Sequence, residues 1–335
     1  MIAILGDLHL RDDKPYWRAT CEAFLDWYRD WPTNCKGNDL VLTGDLVETP
    51  VLSGTVVDYL EKLVEWSNFD SIHICVGNHD RKKMNGHEQI AYKFYNNKKK
   101  VHLYDEIASI DISGKSVLML PYFLGTNGHK QTMHDFYSNI WNDKEFNKHY
   151  DLVVGHLCGS DCIFPGDTNY VDNLEKIDAD HVILGHVHTR SVNSERYIGS
   201  IFANKKSEND KTRAAVIIRD DNSRYEEKLP VFNEFIAINY PNELPKTDAI
   251  VPIYSVLSCA SETVARVKYG DIFIRRTTPD ISDFIPKRNV QLDMRLDSVQ
   301  EMDVHEMFKS FCKNQTPPFS NLIEEDCFKM LAKRN

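Results

Sequence analysis

The chain has 335 residues, of which 42% are apolar and 11% aromatic, and its formal net charge at pH 7 is −10. This length allows one sizeable core with a smaller attached domain, and this composition excludes a disordered acidic chain. The negative charge argues against a protein that coats nucleic acid through net charge alone, but it does not exclude nucleic acid as a substrate.

Targeting and redox signals predict a cytoplasmic protein. No stretch approaches 18 uninterrupted apolar residues, so we expect no membrane span and no membrane partner. Met1–Leu5 runs directly into Gly6 and lacks the basic region and cleavage site of a signal peptide. We therefore interpret the eight scattered cysteines as reduced thiols. The C-x3-C pair Cys158 and Cys162 lacks the second pair that frames a zinc finger.

The first part of the chain alternates short apolar runs with amphipathic segments. The pattern predicts helices over 16–31 and 56–66 and strands over 1–6, 39–43 and 71–76. This order implies parallel pairing through right-handed crossovers and hence an α/β fold. Later strands are predicted over 116–120, 151–154 and 181–184, with 196–202 and 213–219 as two further candidates.

The pattern changes after Pro230. Short strand-like runs at 235–239, 251–257, 271–276 and 290–295 predict a small α+β or β-rich cap over 231–297. Residues 298–335 predict two helices separated by a segment that contains Pro317-Pro318. We therefore expect three regions: 1–230, 231–297 and 298–335.

Polar residues of one chemical kind follow the predicted strands directly. Such strand ends meet at the ligand-binding edge of an α/β sheet, so residues far apart in sequence are expected in one place. Carboxylate, imidazole and amide groups without thiolate favour manganese, iron, zinc or nickel over calcium or an iron–sulfur cluster. Each fragment alone is an ordinary polar turn, but five in succession are hard to explain as turns. The motifs are Gly6-Asp7-Leu8-His9, Gly44-Asp45, Gly77-Asn78-His79-Asp80, Gly155-His156 and Gly185-His186-Val187-His188.

This series of motifs, from residue 1 to about 225, resembles the signature of calcineurin-like metallophosphoesterases. Within that superfamily the chain looks like the nuclease subunit of the SbcCD type, including phage recombination nuclease subunits. The narrower resemblance depends on chain length, the segment Tyr197-Ile198-Gly199-Ser200, the following cap and the predicted C-terminal helix pair. It implies an α/β two-sheet sandwich flanked by helices, with a small α+β capping domain and a C-terminal helix pair. It also implies a bacterial or phage-infected host cytoplasm.

The resemblance implies a centre of two divalent ions, Mn²⁺ or alternatively Mg²⁺, that activates water to hydrolyse a phosphodiester. The first ion would be held by Asp7, His9 and His188. The second would be held by Asn78, His156 and His186, and Asp45 would bridge the two.

Two further residues are implied as catalytic. His79 would contact the phosphate and stabilise or protonate the leaving oxygen. Glu48 departs from the pattern, since SbcD-type nucleases usually have His three residues after the bridging Asp. Protein phosphatases of the superfamily have an Asp there that pairs with the catalytic His, so our hypothesis is that Glu48 hydrogen-bonds and orients His79. The alternative is a solvated or helix-capping Glu48.

A basic segment follows the third motif. Residues 81–100 contain seven Lys and Arg residues against one acid, a local charge of +6. Such residues contact phosphates without reading sequence, although a solvated surface is the alternative. The predicted DNA contacts are Arg81, Lys82, Lys83, Lys205 and Lys206.

The predicted partners follow from the same resemblance. Residues 298–335 would dock on an SbcC-like coiled-coil ATPase, since this chain has no G-x-x-x-x-G-K-[ST] motif of its own. A homodimer is expected through helices near 55–66 and 81–97. The alternatives to a DNA exonuclease and endonuclease are a small-molecule phosphodiesterase or phosphatase of the superfamily and a catalytically silent scaffold subunit.

Overall fold

The computed structural model divides the chain into two compact units, 1–278 and 279–335. All of the described residues lie in the first unit: 1–31, 39–84, 87–98, 100–123, 137, 146–159, 171, 174–190, 195–209, 211–257, 262–270 and 273–275. The predicted strand over 290–295 and the predicted helix pair over 298–335 lie outside the described residues, as does Cys162.

The larger sheet has six strands: β1 (Ile2–Leu5), β2 (Asp39–Leu42), β3 (Ser71–Cys75), β6 (Val101–Tyr104), β11 (Ala214–Ile218) and β12 (Arg224–Lys228). Their order is β12-β11-β1-β2-β3-β6. β1, β2, β3 and β6 run parallel, and β11 pairs antiparallel to β1. The parallel core that the strand–helix alternation predicts is therefore confirmed.

The smaller sheet has four strands: β7 (Ala108–Ile112), β8 (Lys115–Leu120), β9 (Tyr150–His156) and β10 (Ala179–Gly185). Their order is β10-β9-β8-β7, with the first three parallel. Buried side chains of both sheets form one cluster between them, so the two sheets make a sandwich. The α/β two-sheet fold is confirmed.

Successive side chains of a strand point to opposite faces of the larger sheet, so one face packs on the smaller sheet and the other on the helices. Ile2 and Ile4 point into the inter-sheet core, whereas Ala3 and Leu5 belong to the cluster under the helices. Those helices are α1 (Pro15–Asp30) and α2 (Gly54–Glu65). Of the helices in the described ranges, none is both long enough and apolar enough to cross a membrane.

Local sequence explains how the two helices begin. Pro15 occupies the first turn of α1, where its missing N–H costs no hydrogen bond. The side chain of Ser53 caps α2 by accepting a hydrogen bond from the Val56 N–H at 3.2 Å.

A separate three-stranded parallel sheet follows residue 230. It contains β13 (Asn233–Asn239), β14 (Val251–Leu257) and β15 (Phe273–Arg275), and α3 (Glu262–Tyr269) lies between the last two strands in sequence. Phe235 and Ile253 belong to the same buried cluster as α1, and Phe235 contacts Trp17 with 5.9 Å between ring centroids. The three-region division stays a prediction, but this sheet shares a core with the sandwich.

One predicted helix is wrong. Residues 81–97 form a hairpin of β4 (Arg81–Met84) and β5 (His87–Ile90), followed by a 3₁₀ helix over Lys93–Asn97. The register pairs Met84 with His87. The two residues between them in the sequence are Asn85-Gly86, the strongest short hairpin signal, whereas the expected helix rests on the family resemblance. The candidate strand over 196–202 is also wrong, since only a single bridge joins Leu184 to Tyr197.

The aromatic core under α1 gives a test of the fold. Phe24 is fully buried and packs edge to face on Phe202 and Phe232, at 5.7 and 5.6 Å between centroids. We expect Phe24→Ala to lower the free energy of unfolding by about 3–5 kcal/mol, because it leaves a cavity that rigid neighbours cannot fill. Denaturant unfolding of the full chain measures this. Phe94→Ala is the control, since Phe94 is 50% exposed. Equal losses in the two variants would contradict this account of the core.

Candidate metal centre

The five polar motifs meet where the parallel strands of both sheets end. Asp7 and His9 follow β1, Asp45 follows β2 and Asn78 follows β3 in the larger sheet. In the smaller sheet, β9 ends at His156, and β10 is followed by His186 and His188. The carboxyl ends of two sheets therefore share one site, as the strand-end rule predicts.

The first cluster is formed by Asp7, His9, Asp45 and His188. Each offers one ligand atom, and these atoms all lie within 4.8 Å of one another. The Nε2 atoms of His9 and His188 are 3.0 Å apart, so both rings point to the same place. Asp7, His9 and Asp45 are buried, whereas the side chain of His188 is 23% exposed. The cluster is therefore open on the His188 side.

The second cluster gathers around the side-chain oxygen of Asn78. Asn78 Oδ1 lies 3.0 Å from His156 Nε2 and 2.9 Å from His186 Nδ1. His156 Nε2 is also 3.2 Å from Asp45 Oδ2. Asp45 therefore touches both clusters, and the structure brings all seven predicted ligands together. Their role as metal ligands stays a prediction.

Backbone conformation aims these side chains. His9, Asp45 and His186 have φ values of 45°, 48° and 78°, in the left-handed region that costs energy for residues with a Cβ. Two glycines that precede clustered residues are explained by close packing. A Cβ on Gly77, the residue before Asn78, would lie 2.3 Å from the backbone nitrogen of Asp45. A Cβ on Gly185 would likewise lie 2.4 Å from Asp7 Oδ1. Glycine is required at both positions because the backbone there packs directly against Asp45 or Asp7.

Main-chain donors hold the buried carboxylates. The His186 N–H donates to Asp7 Oδ2 and the His79 N–H donates to Asp45 Oδ1, both at 2.8 Å. Asp80 accepts hydrogen bonds from the N–H groups of Val47 (3.2 Å) and Gly77 (2.8 Å), so it buttresses the loops beside the site. The N–H donors fix the orientation of these carboxylates. Burial nevertheless raises the pKa of Asp7, and burial together with the nearby Asp45 raises the pKa of Asp80 to about 6.

The electrostatics of the cluster suit a cation. Burial alone would lower the pKa of His156, but the Asp45 and Asp7 carboxylates raise that pKa to about 9. Burial alone would raise the pKa of Asp45, but His156 and the other imidazoles hold that pKa well below its usual range. The buried carboxylates thus attract positive charge to this place, and a bound divalent ion would displace the proton. Oxygen and imidazole donors without thiolate fit manganese and related divalent metals.

His79 lies beside the first cluster and hydrogen-bonds Glu48, but through the backbone of Glu48 and not, as predicted, through its side chain. The Nδ1–H of His79 donates to the backbone carbonyl oxygen of Glu48 at 2.7 Å. The Glu48 carboxylate faces the other way, with Oε2 3.0 Å from His9 Nδ1 and Oε1 3.0 Å from the Arg11 guanidinium. The cause is local pairing: the Glu48 N–H donates to the Leu10 carbonyl, which places Glu48 beside the segment after β1.

The predicted DNA-binding residues differ in their placement. Arg81 is buried and its guanidinium donates to the Asp105 carbonyl oxygen at 2.7 Å, so it braces the loop and is not a surface cation. Lys82 is exposed, and the side chain of Lys83 lies outside the described part of the structure. Lys205 and Lys206 are exposed on a turn next to the metal cluster.

The rest of the basic segment is largely paired with the body of the protein. Lys93 Nζ lies 3.4 Å from Asp105, Lys98 pairs with Glu61 on α2, and Lys100 donates to the Ser67 carbonyl at 3.2 Å. The local charge of +6 therefore does not form a continuous cationic face in the described part of this segment.

Sequence reasoning missed a residue that touches the first cluster. Glu208 is 4% exposed, its Oε1 lies 3.3 Å from His188 Nδ1, and its Oε2 accepts a hydrogen bond from the Asn204 N–H at 2.9 Å. Burial opposes ionisation, but contact with His188 lowers the pKa of Glu208 to about 2. No glycine-linked motif marks this residue, so the sequence pattern carried no signal for it.

Comparison with known families agrees with this geometry. A family model for calcineurin-like phosphoesterases (Metallophos) matches residues 1–190, which is more than half of the chain and includes all seven clustered residues. A search of curated proteins finds no match.

The close approach at Gly77 gives a test of the site. We expect Gly77→Ala to displace Asp45 from both clusters, to destabilise the fold by about 1–3 kcal/mol through overpacking, and to abolish the rise in melting temperature on adding Mn²⁺. Thermal unfolding with Mn²⁺ and with a chelator measures both effects. Gly54→Ala is the control, because a Cβ on Gly54 meets nothing within 4 Å. An intact Mn²⁺ response in Gly77→Ala would contradict the central position of Asp45.

Proposed function

The chain belongs to the calcineurin-like phosphoesterase family, and from that membership we propose that it is the DNA exonuclease and endonuclease subunit of an SbcCD-like recombination and repair complex. The observation that supports the proposal is the presence of exposed lysines beside the solvent-accessible side of the first cluster. Asn78, His79, His186 and His188 are partly exposed there, and an exposed lysine turn adjoins His188.

The lysine turn is linked to the cluster by short contacts. Lys205 Nζ lies 3.5 Å from Glu208 Oε1, and that same oxygen lies 3.3 Å from His188 Nδ1. Lys206 is its exposed neighbour. Lysines at this distance from the reacting centre suit a polyanionic backbone that extends beyond the hydrolysed phosphate.

The chemistry divides between the ions and the protein. Two divalent ions, which we propose to be Mn²⁺, supply positive charge to the phosphate and lower the pKa of a water when they are bound. His79 is held by its Nδ1–H bond to the Glu48 carbonyl, which leaves Nε2 as the ring nitrogen that exchanges a proton with the leaving oxygen. The His79 N–H also donates to Asp45, so this ring and the shared carboxylate are positioned together.

We further propose the partners that the family resemblance implies. Residues 298–335 dock on an SbcC-like coiled-coil ATPase, which supplies the nucleotide-driven step. A homodimer forms through α2, because residues 81–97, the other candidate segment, form a hairpin and a short 3₁₀ helix.

A second candidate is a phosphodiesterase or phosphatase for small molecules. The contacts of Arg81 and Lys100 with backbone carbonyl oxygens favour it, since these two cations are already engaged by the protein. The complete set of seven clustered ligand residues argues against a silent scaffold.

A substrate panel tests the proposal. The full chain is incubated with linear duplex DNA, circular single-stranded DNA and a chromogenic phosphodiester, each with Mn²⁺ and with Mg²⁺. We expect cleavage of both DNA substrates, greatest with Mn²⁺, and none by Asp45→Asn. Cleavage of the small ester alone would support the second candidate, and inactivity on all three would support a scaffold.

His79 provides a separate prediction. We expect His79→Ala to lower kcat on the cleaved substrate by about 100- to 10,000-fold, because a positioned proton donor is lost. Calorimetry should show that Mn²⁺ still binds, since His79 is outside the ligand set. The control is His149→Ala, whose exposed ring pairs with Asp178 at the opposite ends of β9 and β10 from the motifs. Unchanged turnover, or loss of Mn²⁺ binding, would contradict the role given to His79.

A further inference from the structure

A carboxylate stands behind each imidazole of the first cluster. Glu48 contacts His9, Glu208 contacts His188, and neither glutamate belongs to the predicted ligand set. We propose that Glu48 and Glu208 are positioning residues that fix His9 and His188 for a divalent cation and make the Asp7–His9–His188 half the tighter of two metal sites. This deepens the proposed function and depends on its metal centre, but it does not depend on DNA as the substrate.

Glu48 is held in place on its far side. Its Oε1 accepts from the Arg11 guanidinium at 3.0 Å, and that guanidinium lies over the Trp17 ring, 3.4 Å from its centroid. Arg11 also donates to Asn204 Oδ1 at 2.8 Å. The carboxylate is thus clamped with Oε2 at 3.0 Å from His9 Nδ1, a buried nitrogen with no aligned hydrogen-bond partner among the described residues.

Glu208 is held with equal firmness. Its Oε2 accepts from the Asn204 N–H, and its backbone carbonyl accepts from the buried Arg213 guanidinium. The amide nitrogen of Asn204 also lies 3.2 Å from His188 Nδ1. Of these two neighbours of the ring, only the carboxylate can accept the proton that Nδ1 carries when Nε2 binds a cation.

The two contacts give both rings the same kind of support. An ionised carboxylate only accepts hydrogen bonds, so when a cation occupies Nε2 of either ring, the Nδ1–H of that ring faces a glutamate that can accept it. The two Nε2 atoms of His9 and His188 lie 3.0 Å apart beside the Asp7 carboxylate. His9 and His188 would hold a divalent cation through these two nitrogens. A carboxylate behind a ligating imidazole also raises its basicity and holds its orientation.

His156 of the second cluster has a neutral partner behind its ring. Its Nδ1 lies 3.0 Å from the carbonyl oxygen of Thr43, and Asp7 Oδ1 is 3.8 Å away. Asn78 contributes a neutral amide oxygen, and Asp45 is shared with the first cluster. The first half therefore has its own carboxylate and two supporting glutamates. In the second half, Asn78 offers a neutral oxygen and His156 has a neutral carbonyl behind its ring.

Titration of the metal-free full chain with Mn²⁺ tests the inference. Isothermal calorimetry should resolve a tight and a weak binding step, and His188→Ala should remove the tight step whereas His186→Ala removes the weak one. We expect Glu48→Gln and Glu208→Gln each to weaken the tight step by about 10- to 100-fold and to leave the weak step unchanged. Glu61→Gln is the control, since it breaks an ion pair on α2 and touches no ligand.

The outcomes separate the possible readings. Unchanged binding in both glutamine variants, or a change confined to the weak step, would overturn the proposal. If the buried Glu208→Gln variant fails to fold, as circular dichroism without metal would reveal, Glu48→Gln decides the result because the Glu48 side chain is 29% exposed. Weakened Mn²⁺ binding in a protein that cleaves no DNA would leave this inference intact while the proposed nuclease function fails.

Discussion

The buried carboxylate of Asp45 is the group that both halves of the centre share. It approaches His156 of the smaller sheet at 3.2 Å and His9 of the larger sheet at 3.6 Å, so it joins side chains from two sheets. Its position requires a left-handed backbone at Asp45 and a missing Cβ at Gly77. The sandwich therefore has to bring its parallel strand ends together to within side-chain reach, and the inter-sheet core supplies the cohesion that this demands.

The parts that sequence predicted well are those where a local pattern carries the information. Apolar runs that end in Gly and a polar residue identify the parallel strands and the seven side chains that cluster at the strand ends, because both the strand period and the position of a residue at a strand end are local signals. The segment 81–90 also carries a local hairpin signal, Asn85-Gly86, whereas the helix expected there rests on the family resemblance and not on a local pattern. The contacts of Glu48 and Glu208 were beyond sequence, since tertiary pairing decides which neighbour a carboxylate meets.

Charge in this protein is best understood residue by residue. A net charge of −10 says little about the site, because Asp7 and Asp45 are buried there with imidazoles and suit bound cations. Conversely, most of the described cations of the basic segment brace the fold. Arg81 supports a loop and Lys98 anchors a 3₁₀ helix to α2, so neither adds to a surface field. The cations near the open side of the cluster instead lie on the short turn at Lys205 and Lys206.

The spread of the ligands along the chain has a consequence for synthesis. They extend from Asp7 to His188, and β1 needs β11, at Ala214–Ile218, as its outer neighbour in the sheet. A nascent chain that has emerged only as far as β9 lacks two of the seven clustered residues and one strand of the smaller sheet. Chemistry that needs all seven residues therefore cannot begin on the ribosome before β10 and the segment after it have emerged.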